Sequence, residues 1–486
     1  MNITDLPVDL LIQDLCPRLD FHSLIALSGT CRQFQTFCND EAIWKKLVLR
    51  EFHIPVYATF RNRGWKEIYS KLHDPVVYTW GEGTYYRLGH KQREVLGRAR
   101  NIQGDEDTPR ELESLRGKKI IDIVAGGWSF HALDRDGNVW VWGMLQAEWP
   151  ISRGVSQQPI KTPTLVEIPQ GVKIASIACG RSHAIGLSTE GKVYHWNHIK
   201  KVQEILLPST SSRVIQVSGN WGYSSLLTAA GEIFIVPQPE NAEDDEVPIL
   251  TSTVQGLGIT LRNYVSDALA MGQDVNVIPG DMFVQIASME GDTLALSRKG
   301  KVYKFGTAQL IERETEEEEE RLGEGPPVFL SNPAATGGEL RHYSSPDQND
   351  IVDSDGNLTM FISSFFHNFA VYTLDGAVKL GTARTTAEDE PTTRPELNSN
   401  ICKVTFGDYH SGALTNDGDL LTWGSYSRGA LGHGSAGLPR RNFPNRYAMM
   451  APEPEIAPRK IEALQNMFVF AASFGGWHSA CLAFRR

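Results

Sequence analysis

The feature that most constrains the fold is a strand–turn–strand frame that recurs along residues 74–486. Its clearest copy spans residues 174–196, where three apolar strands flank two tight turns. The second turn of each copy contains a glycine, which supplies the positive φ that a tight hairpin favours. Six complete copies are identified by these turns: Asp136-Gly137, Glu190-Gly191, Ala230-Gly231, Lys299-Gly300, Asp375-Gly376 and Asp417-Gly418.

A seventh copy is divided between the two ends of this region. Residues 468–484 contain the front half of the frame, and residues 76–81 contain only its back strand. Short repeated strands with a split terminal copy are typical of a β-propeller, because strands from both ends close the ring and remove its free edges. The sequence therefore predicts an all-β, seven-bladed propeller over residues 74–486.

The net charge of −11 is concentrated in two insertions of this propeller. Residues 240–246 hold five acids and no base, and residues 312–324 hold eight acids and two arginines, giving −5 and −6. The rest of the chain is neutral on balance, which argues against a nucleic-acid partner because such binding needs a broad basic surface. We expect both tracts to be solvated loops; the alternative is an acidic contact site.

Residues 1–73 have a different, helical pattern. Pro7 suits a first helical turn, Asp20 or Ser23 can cap a second helix, and Asp40 can cap a later one. Gly29 can end the second helix. Four short helices within about fifty residues form a very small core, and a domain of that size commonly needs a partner. The sequence therefore predicts a small all-α binding domain.

The helical segment resembles an F-box over nearly its whole length. The matching positions include the Leu6-Pro7 start, Thr30-Cys31-Arg32 and the run from Ile43 to Leu47. In that family these positions dock on the Skp adaptor, which links the protein to the cullin and RING subunits of a ubiquitin ligase; the alternative is a helical hairpin whose leucines form only its own core. The resemblance implies adaptor contacts by Leu6, Pro7, Leu10, Leu11, Leu15, Leu24, Leu27, Cys31, Phe34, Trp44 and Leu47.

The boundaries follow from these patterns. We expect an F-box at residues 1–50, a linker helix within 51–73 and the propeller at 74–486. Trp65, Ile68 and Leu72 recur at helical spacing and predict an amphipathic helix packed between the two parts.

The propeller repeats resemble those of the regulator-of-chromosome-condensation family. That pattern runs from an apolar strand through GxxH and an Asp-Gly turn to an aromatic-Gly ending. The endings here are Trp80-Gly81, Trp142-Gly143, Phe305-Gly306, Leu380-Gly381 and Trp423-Gly424. An F-box joined to such a propeller resembles the fungal SCF-associated-factor type of ubiquitin-ligase receptor.

Signatures of catalysis are missing from the sequence. It contains no HExxH, paired CxxC, GxSxG or GxxxxGK, so we expect no catalytic residue, metal site or cofactor. His183, His410 and His478 share one repeat position, which favours a structural hydrogen bond over metal ligation. Six unpaired cysteines and the lack of a long apolar run predict a protein of the cytoplasm or nucleus without membrane contact.

The turn after each innermost strand is the candidate substrate site. Seven such turns should converge around the mouth of the central channel, and five of them contain an aromatic residue. Aromatic residues and arginine are enriched at binding hot spots; the alternative is that some of these rings pack between blades. We therefore predict substrate contacts by Trp128, Arg181, Trp221, Glu290, Phe366, Tyr409 and Trp477.

Two functions fit these features. The first is a non-catalytic adaptor that holds a protein substrate on the propeller while the F-box binds the ligase. The second is a guanine-nucleotide exchange factor or chromatin-binding module, as the propeller resemblance alone would imply. The F-box favours the first, and so do Ser129, Tyr223, Asp292 and Asn368, which replace histidine at the GxxH position.

Overall fold

A computed structural model of the 486-residue chain shows a helical N-terminal segment docked on a seven-bladed β-propeller. Both predicted fold classes are confirmed. The structure describes residues 6–52, 60–73, 75–91, 104–146, 158–239, 251–253, 258–273, 275, 278–306, 311–312, 328–329, 337–353, 356–373, 375–398, 400–425, 428–434 and 456–486. The acidic tract 240–246, and all of 312–324 except Glu312, lie outside these residues.

Seven antiparallel sheets form the blades, and the innermost strand of each contacts the innermost strand of the next around a closed ring. The strands of each blade are given from the innermost outward. Blade 1 is Ile120–Ala125, Ser129–Asp134, Val139–Gly143 and Ile160–Leu165, and blade 2 is Ile174–Cys179, Ala184–Ser188, Val193–His198 and Lys201–Leu206. Blade 3 is Val214–Gly219, Tyr223–Thr228 and Ile233–Pro237. Blades 4 to 6 are Phe283–Ser288, Asp292–Ser297, Val302–Gly306 and Gly337–Glu339; Phe361–Phe365, Asn368–Tyr372, Val378–Thr382 and Thr392–Thr393; and Ile401–Phe406, His410–Thr415, Leu420–Gly424 and Ile456–Lys460. Blade 7 is Met467–Phe474, His478–Arg485, Val76–Gly81 and Glu106–Glu111.

Blade 7 closes the ring with strands from both ends of the propeller region, as the split repeat predicts. Val76–Gly81 pairs antiparallel with His478–Arg485, from Val76 opposite Ala483 to Gly81 opposite His478. The six predicted turn glycines all have positive φ, between 73° and 86°. Closure satisfies the backbone groups of strands that would otherwise form exposed edges.

Two blades depart from the four-stranded plan. Blade 3 has three strands among the described residues, and helix α6 (Leu261–Ala270) packs beside it through Leu261, Tyr264 and Ala268. A bridge between Ile233 and Ile259 leads into this helix. The strand Thr251–Thr253 instead adds to blade 2 as a fifth, parallel strand. One insertion therefore connects the outer edges of two neighbouring blades.

The N-terminal segment contains four helices, as predicted. The Asp20 side chain caps the second by accepting the Ser23 backbone N–H at 2.7 Å, and Asp40 accepts that of Ala42 at 2.8 Å before the fourth. These helices are α1 (Val8–Leu10), which continues as a π turn Leu11–Leu15 and a 3₁₀ turn Cys16–Arg18, α2 (Phe21–Ser28), α3 (Arg32–Phe37) and α4 (Glu41–Phe52). Within the predicted linker, residues 51–52 belong to α4, and the linker helix α5 is Trp65–Lys71.

The helical segment docks on one end of the propeller. Phe52 and Tyr69 share an apolar core with Phe468 and Phe484 of blade 7. The guanidinium of Arg135, in the second turn of blade 1, lies 4.4 Å from the Phe52 ring centroid. These contacts involve the face that carries the second turn of each blade. The first turns lie at the opposite ends of the same strands, about 20 Å away for six residues at ~3.3 Å each.

Short 3₁₀ turns and one further hairpin complete the described structure. Each turn buries one apolar side chain beside a blade. No helix in the described ranges is long and apolar enough to span a bilayer. The 3₁₀ turns are Glu113–Leu115, Arg341–Tyr343, Pro395–Leu397 and Glu462–Leu464, and the hairpin pairs Ile311–Glu312 with Val328–Phe329.

Candidate substrate-binding face

The seven first turns lie at one mouth of the central channel, between the innermost and second strand of each blade, as the repeat frame predicts. Backbone hydrogen bonds join several of them directly. Gly127 donates to the Arg181 carbonyl at 3.0 Å, Arg181 to Trp221 at 3.2 Å and Trp221 to Glu290 at 3.0 Å. Glu290 in turn donates to the Phe366 carbonyl at 2.7 Å. These hydrogen bonds therefore link the first turns of blades 1 to 5 to one another, so these turns are not independent loops.

The glycines of three aromatic-Gly endings lie directly against the backbone of three of these turns. A Cβ built on Gly143 would lie 2.4 Å from the Trp128 carbonyl oxygen, and one on Gly424 would lie 2.7 Å from that of Tyr409. Gly81 stands in the same relation to Trp477, at 2.5 Å. Only glycine permits this approach, so the Trp-Gly motif positions the turn that carries the aromatic ring.

Arg181 is the centre of the aromatic part of the mouth. Its guanidinium lies 4.6 Å from the ring centroid of Trp128 and 3.9 Å from that of Trp221, so the cation is stacked between two indoles. Burial lowers the pKa of Arg181, and the nearby charges of Glu290 and Asp408 oppose that shift. A guanidinium remains charged in this setting, because arginine is not deprotonated in proteins. The sandwich therefore holds a permanent cation against aromatic faces.

Carboxylates and a histidine form the polar side of the mouth. His367 Nδ1 lies 3.1 Å from Glu290 Oε2. Burial raises the pKa of Asp408 to about 6, the Glu290 charge adds to the shift, and His367 and Arg181 oppose it. Asp408 is therefore a partly desolvated carboxylate that is still mostly ionised at neutral pH.

The predicted substrate residues differ in what they expose. Tyr409 is 52% exposed, and its ring is tilted against that of Trp477 at a centroid distance of 6.3 Å. Phe366, in contrast, is 7% exposed and packs edge-on against Trp221 at 6.3 Å. The alternative of interblade packing thus applies to Phe366, which also has a φ of +49°. Trp128, Arg181, Trp221, Glu290 and Trp477 are half-buried.

The repeated histidines are buried between blades. His183 Nε2 lies 2.9 Å from Ser224 Oγ, and His410 Nε2 lies 2.8 Å from Ser479 Oγ, in each case on the next blade. This confirms the predicted hydrogen-bonding role. Burial lowers the pKa of both rings to about 3. The glycine of GxxH leaves room for the ring, because a Cβ on Gly407 would lie 2.4 Å from His410 Cε1.

The predicted adaptor-binding residues divide into a core and a surface. Leu11, Leu24, Phe34, Trp44 and Leu47 are buried. Leu6 and Leu27 are half-buried, and Pro7, Leu10, Leu15 and Cys31 are exposed. Four of the nine large apolar side chains exposed on the described residues fall between positions 8 and 25, so this segment carries a concentrated apolar surface: Val8, Leu10, Leu15 and Ile25.

Several charged residues described at the mouth are missing from the predicted set, among them Asp408, His367 and Arg428. Asp408 and His367 occupy the same turn positions as the predicted aromatics, so the repeat frame could have identified them. Arg428 lies 5.8 Å from the Trp477 ring centroid, in the loop that follows the Trp423-Gly424 ending of blade 6 and within a stretch that the RCC1 repeat pattern covers.

Comparison with known proteins identifies both parts of the chain. The F-box-like model matches residues 3–50. Models of the regulator of chromosome condensation (RCC1) repeat match residues 76–133, 174–196, 401–429 and 417–482. The chain therefore contains an F-box-like segment followed by RCC1-type repeats.

Individual relatives match this chain over different shares of its length. F-box protein pof9 of Schizosaccharomyces pombe is 22% identical over 99% of this chain and 89% of its own length. SCF-associated factor 1 of Saccharomyces cerevisiae is 20% identical over 65% of this chain and 43% of its own. Human E3 ubiquitin-protein ligase HERC2 is 34% identical, but the match spans 27% of this chain and 3% of HERC2.

A solved structure supports the fold alone. Prp20p of Saccharomyces cerevisiae superposes with a TM-score of 0.55 at 17% identity, over 88% of this chain and 96% of that one.

Proposed function

We propose that this F-box protein is the substrate-recognition subunit of an SCF-type ubiquitin ligase and performs no catalytic step itself. The Skp adaptor would bind the F-box and connect it to the cullin and RING subunits, in the cytoplasm or nucleus. The observation that carries this proposal is the exposed apolar surface on residues 8–25, within the segment that the F-box-like model matches. Monomeric surfaces rarely concentrate apolar side chains in this way without a partner.

The mechanism is positioning. A substrate held at the channel mouth lies on the opposite end of the propeller from the docked helices, and the shared core with blade 7 fixes the two parts relative to one another. A fixed geometry raises the effective concentration of substrate lysines near the charged ubiquitin-conjugating enzyme. Degradation of the ubiquitinated substrate by the proteasome would follow.

The test compares two double variants with equal chemistry. Leu10→Asp with Leu15→Asp alters exposed side chains of the F-box, and Leu165→Asp with Leu206→Asp alters propeller side chains of similar exposure, 43% and 40%. We expect the first pair to lose binding to recombinant Skp adaptor in a pull-down and the second to retain it. Circular dichroism checks that both remain folded. Undiminished adaptor binding by a folded first pair would contradict the proposed function.

A further inference from the structure

Three basic side chains at the channel mouth already have partners within the protein: Arg181, Arg428 and His367. Arg181 is stacked between two indoles, with the charges of Glu290 and Asp408 nearby. Arg428 Nη1 lies 2.6 Å from Glu82 Oε1, and His367 pairs with Glu290 at 3.1 Å. Recognition of a phosphate group uses arginines whose charge is free to pair with it. These three side chains of the described residues do not offer that arrangement.

One carboxylate at the mouth, that of Asp408, lacks such a direct contact. Asp408 is half-buried, and no hydrogen bond or ion pair joins its carboxylate to another residue in the part of the chain that the structure describes. Its backbone N–H is used, since it donates to the Gly475 carbonyl at 3.3 Å. The charges of His367 and Arg181 favour the ionised form of Asp408, but burial and the Glu290 charge outweigh them, since the pKa of Asp408 stays raised. A cation in direct contact with the carboxylate would relieve the remaining cost of desolvation.

The neighbouring ring has the matching chemistry. Tyr409 follows Asp408 directly, is 52% exposed and leans on Trp477. An exposed aromatic face next to a carboxylate favours an ammonium or guanidinium group through cation–π attraction combined with charge. The same combination occurs elsewhere at the channel mouth, where the Arg181 guanidinium lies between the rings of Trp128 and Trp221 and close to Glu290.

We propose that Asp408 and Tyr409 bind a lysine or arginine side chain of an unphosphorylated segment of the substrate. The inference rests on the proposed function, because it names the chemistry of the substrate at the same face. The surrounding carboxylates, Glu290 and Asp408, disfavour a phosphorylated segment or a nucleic acid by repulsion. The aromatic belt of Trp128, Trp221 and Trp477 would supply the apolar contacts on either side of the anchor.

The test measures direct binding of defined probes to the full-length chain. Three fluorescein-labelled pools of degenerate twelve-residue peptides would differ only in the central residue, which is arginine, its neutral isostere citrulline, or phosphoserine. Fluorescence anisotropy gives the affinity of each pool. We expect the arginine pool to bind about tenfold more tightly than the citrulline pool, since a partly desolvated cation–π contact with an adjacent charge supports a difference of that order.

Variants then test whether Asp408 and Tyr409 cause the preference for arginine. Asp408→Asn and Tyr409→Leu should remove the preference for arginine, and Tyr409→Phe should retain it because the aromatic face remains. The matched control is Asp136→Asn, an exposed aspartate in a second turn on the opposite face, where Asn-Gly still forms the hairpin turn. This control should leave the preference unchanged.

Three outcomes would overturn the proposal. They are equal binding of the arginine and citrulline pools, tighter binding of the phosphoserine pool, or a preference that survives Asp408→Asn. Absence of measurable binding by every pool counts as the first of these. Skp pull-down with the same preparations separates the two ideas: an arginine preference without adaptor binding refutes the proposed function, and adaptor binding without the preference refutes the peptide chemistry.

Discussion

Two neighbouring arginines provide a sharp test of how the helical segment is held on the propeller. Arg61 is 2% exposed, donates through Nη1 to the Asn416 carbonyl and through Nη2 to that of Thr415 at 3.1 Å. Its guanidinium also lies 5.1 Å from the Phe468 ring centroid. Arg63 contacts the same turn of blade 6 by pairing with Asp417 at 2.9 Å, but its side chain is 54% exposed.

The expected losses of docking free energy differ because Arg61 is buried and Arg63 is exposed. A hydrogen bond from a charged donor contributes about 1.5–3 kcal/mol, and a desolvated cation–π contact about 2 kcal/mol. After allowance for the desolvation of the guanidinium, we expect Arg61→Ala to weaken docking by about 3 kcal/mol. Arg63→Ala should cost less than about 1 kcal/mol, because exposed ion pairs are screened by water.

Hydrogen exchange in α5 measures this difference directly. A loss of about 3 kcal/mol raises local opening, and hence amide exchange in Trp65–Lys71, about 100-fold, whereas 1 kcal/mol raises it about fivefold. Both variants should still bind the Skp adaptor, and only Arg61→Ala should lower ubiquitination of a bound substrate. Equal exchange rates in the two variants would refute the reasoning that buried contacts to Asn416 and Thr415 hold the helices in place.

Two further predictions concern the ring itself. Deletion of residues 467–486 removes the two inner strands of blade 7 and leaves Val76–Gly81 without its inner neighbour, so we expect aggregation by size-exclusion chromatography. A soluble monomer with cooperative unfolding would argue against ring closure. Burial lowers the pKa of His183 and of His410 to about 3 in the fold, against about 6.5 in the unfolded chain. Below pH 6.5 the unfolded chain binds protons that the folded one does not, so the free energy of unfolding declines as the pH falls towards 3. The decline is up to about 1.4 kcal/mol per pH unit for each ring. The urea midpoint should therefore be lower at pH 5.5 than at pH 7.5, and an unchanged midpoint would contradict the burial of neutral imidazoles.

Local sequence patterns were sufficient to predict the architecture. The turn glycines are required by backbone geometry within a few residues, so Gly137 and Gly418 mark hairpins wherever the chain places them. The split repeat predicts closure, because half a blade at each end has no other way to satisfy its strands. The Asp20 cap is equally local, since the side chain bonds to an N–H only three residues away.

Other features depend on contacts between distant parts of the chain, and the tertiary structure alone decides them. Arg61 meets a carbonyl 355 residues away, and no pattern around residue 61 indicates that partner. The division of the F-box leucines into buried Leu24 and exposed Leu10 follows from how the helices pack on one another and on blade 7.

The same reason governs the candidate site. Phe366 and Tyr409 occupy equivalent turns, yet Phe366 is buried against Trp221 and Tyr409 is open to solvent. Burial raises the pKa of Asp408, and the charges of His367, Glu290 and Arg181 on three other blades modify that shift. The repeat determines which residues reach the mouth because it sets the strand ends. Their exposure and charge state are set by neighbours on other blades, which only the closed ring brings within a few ångströms.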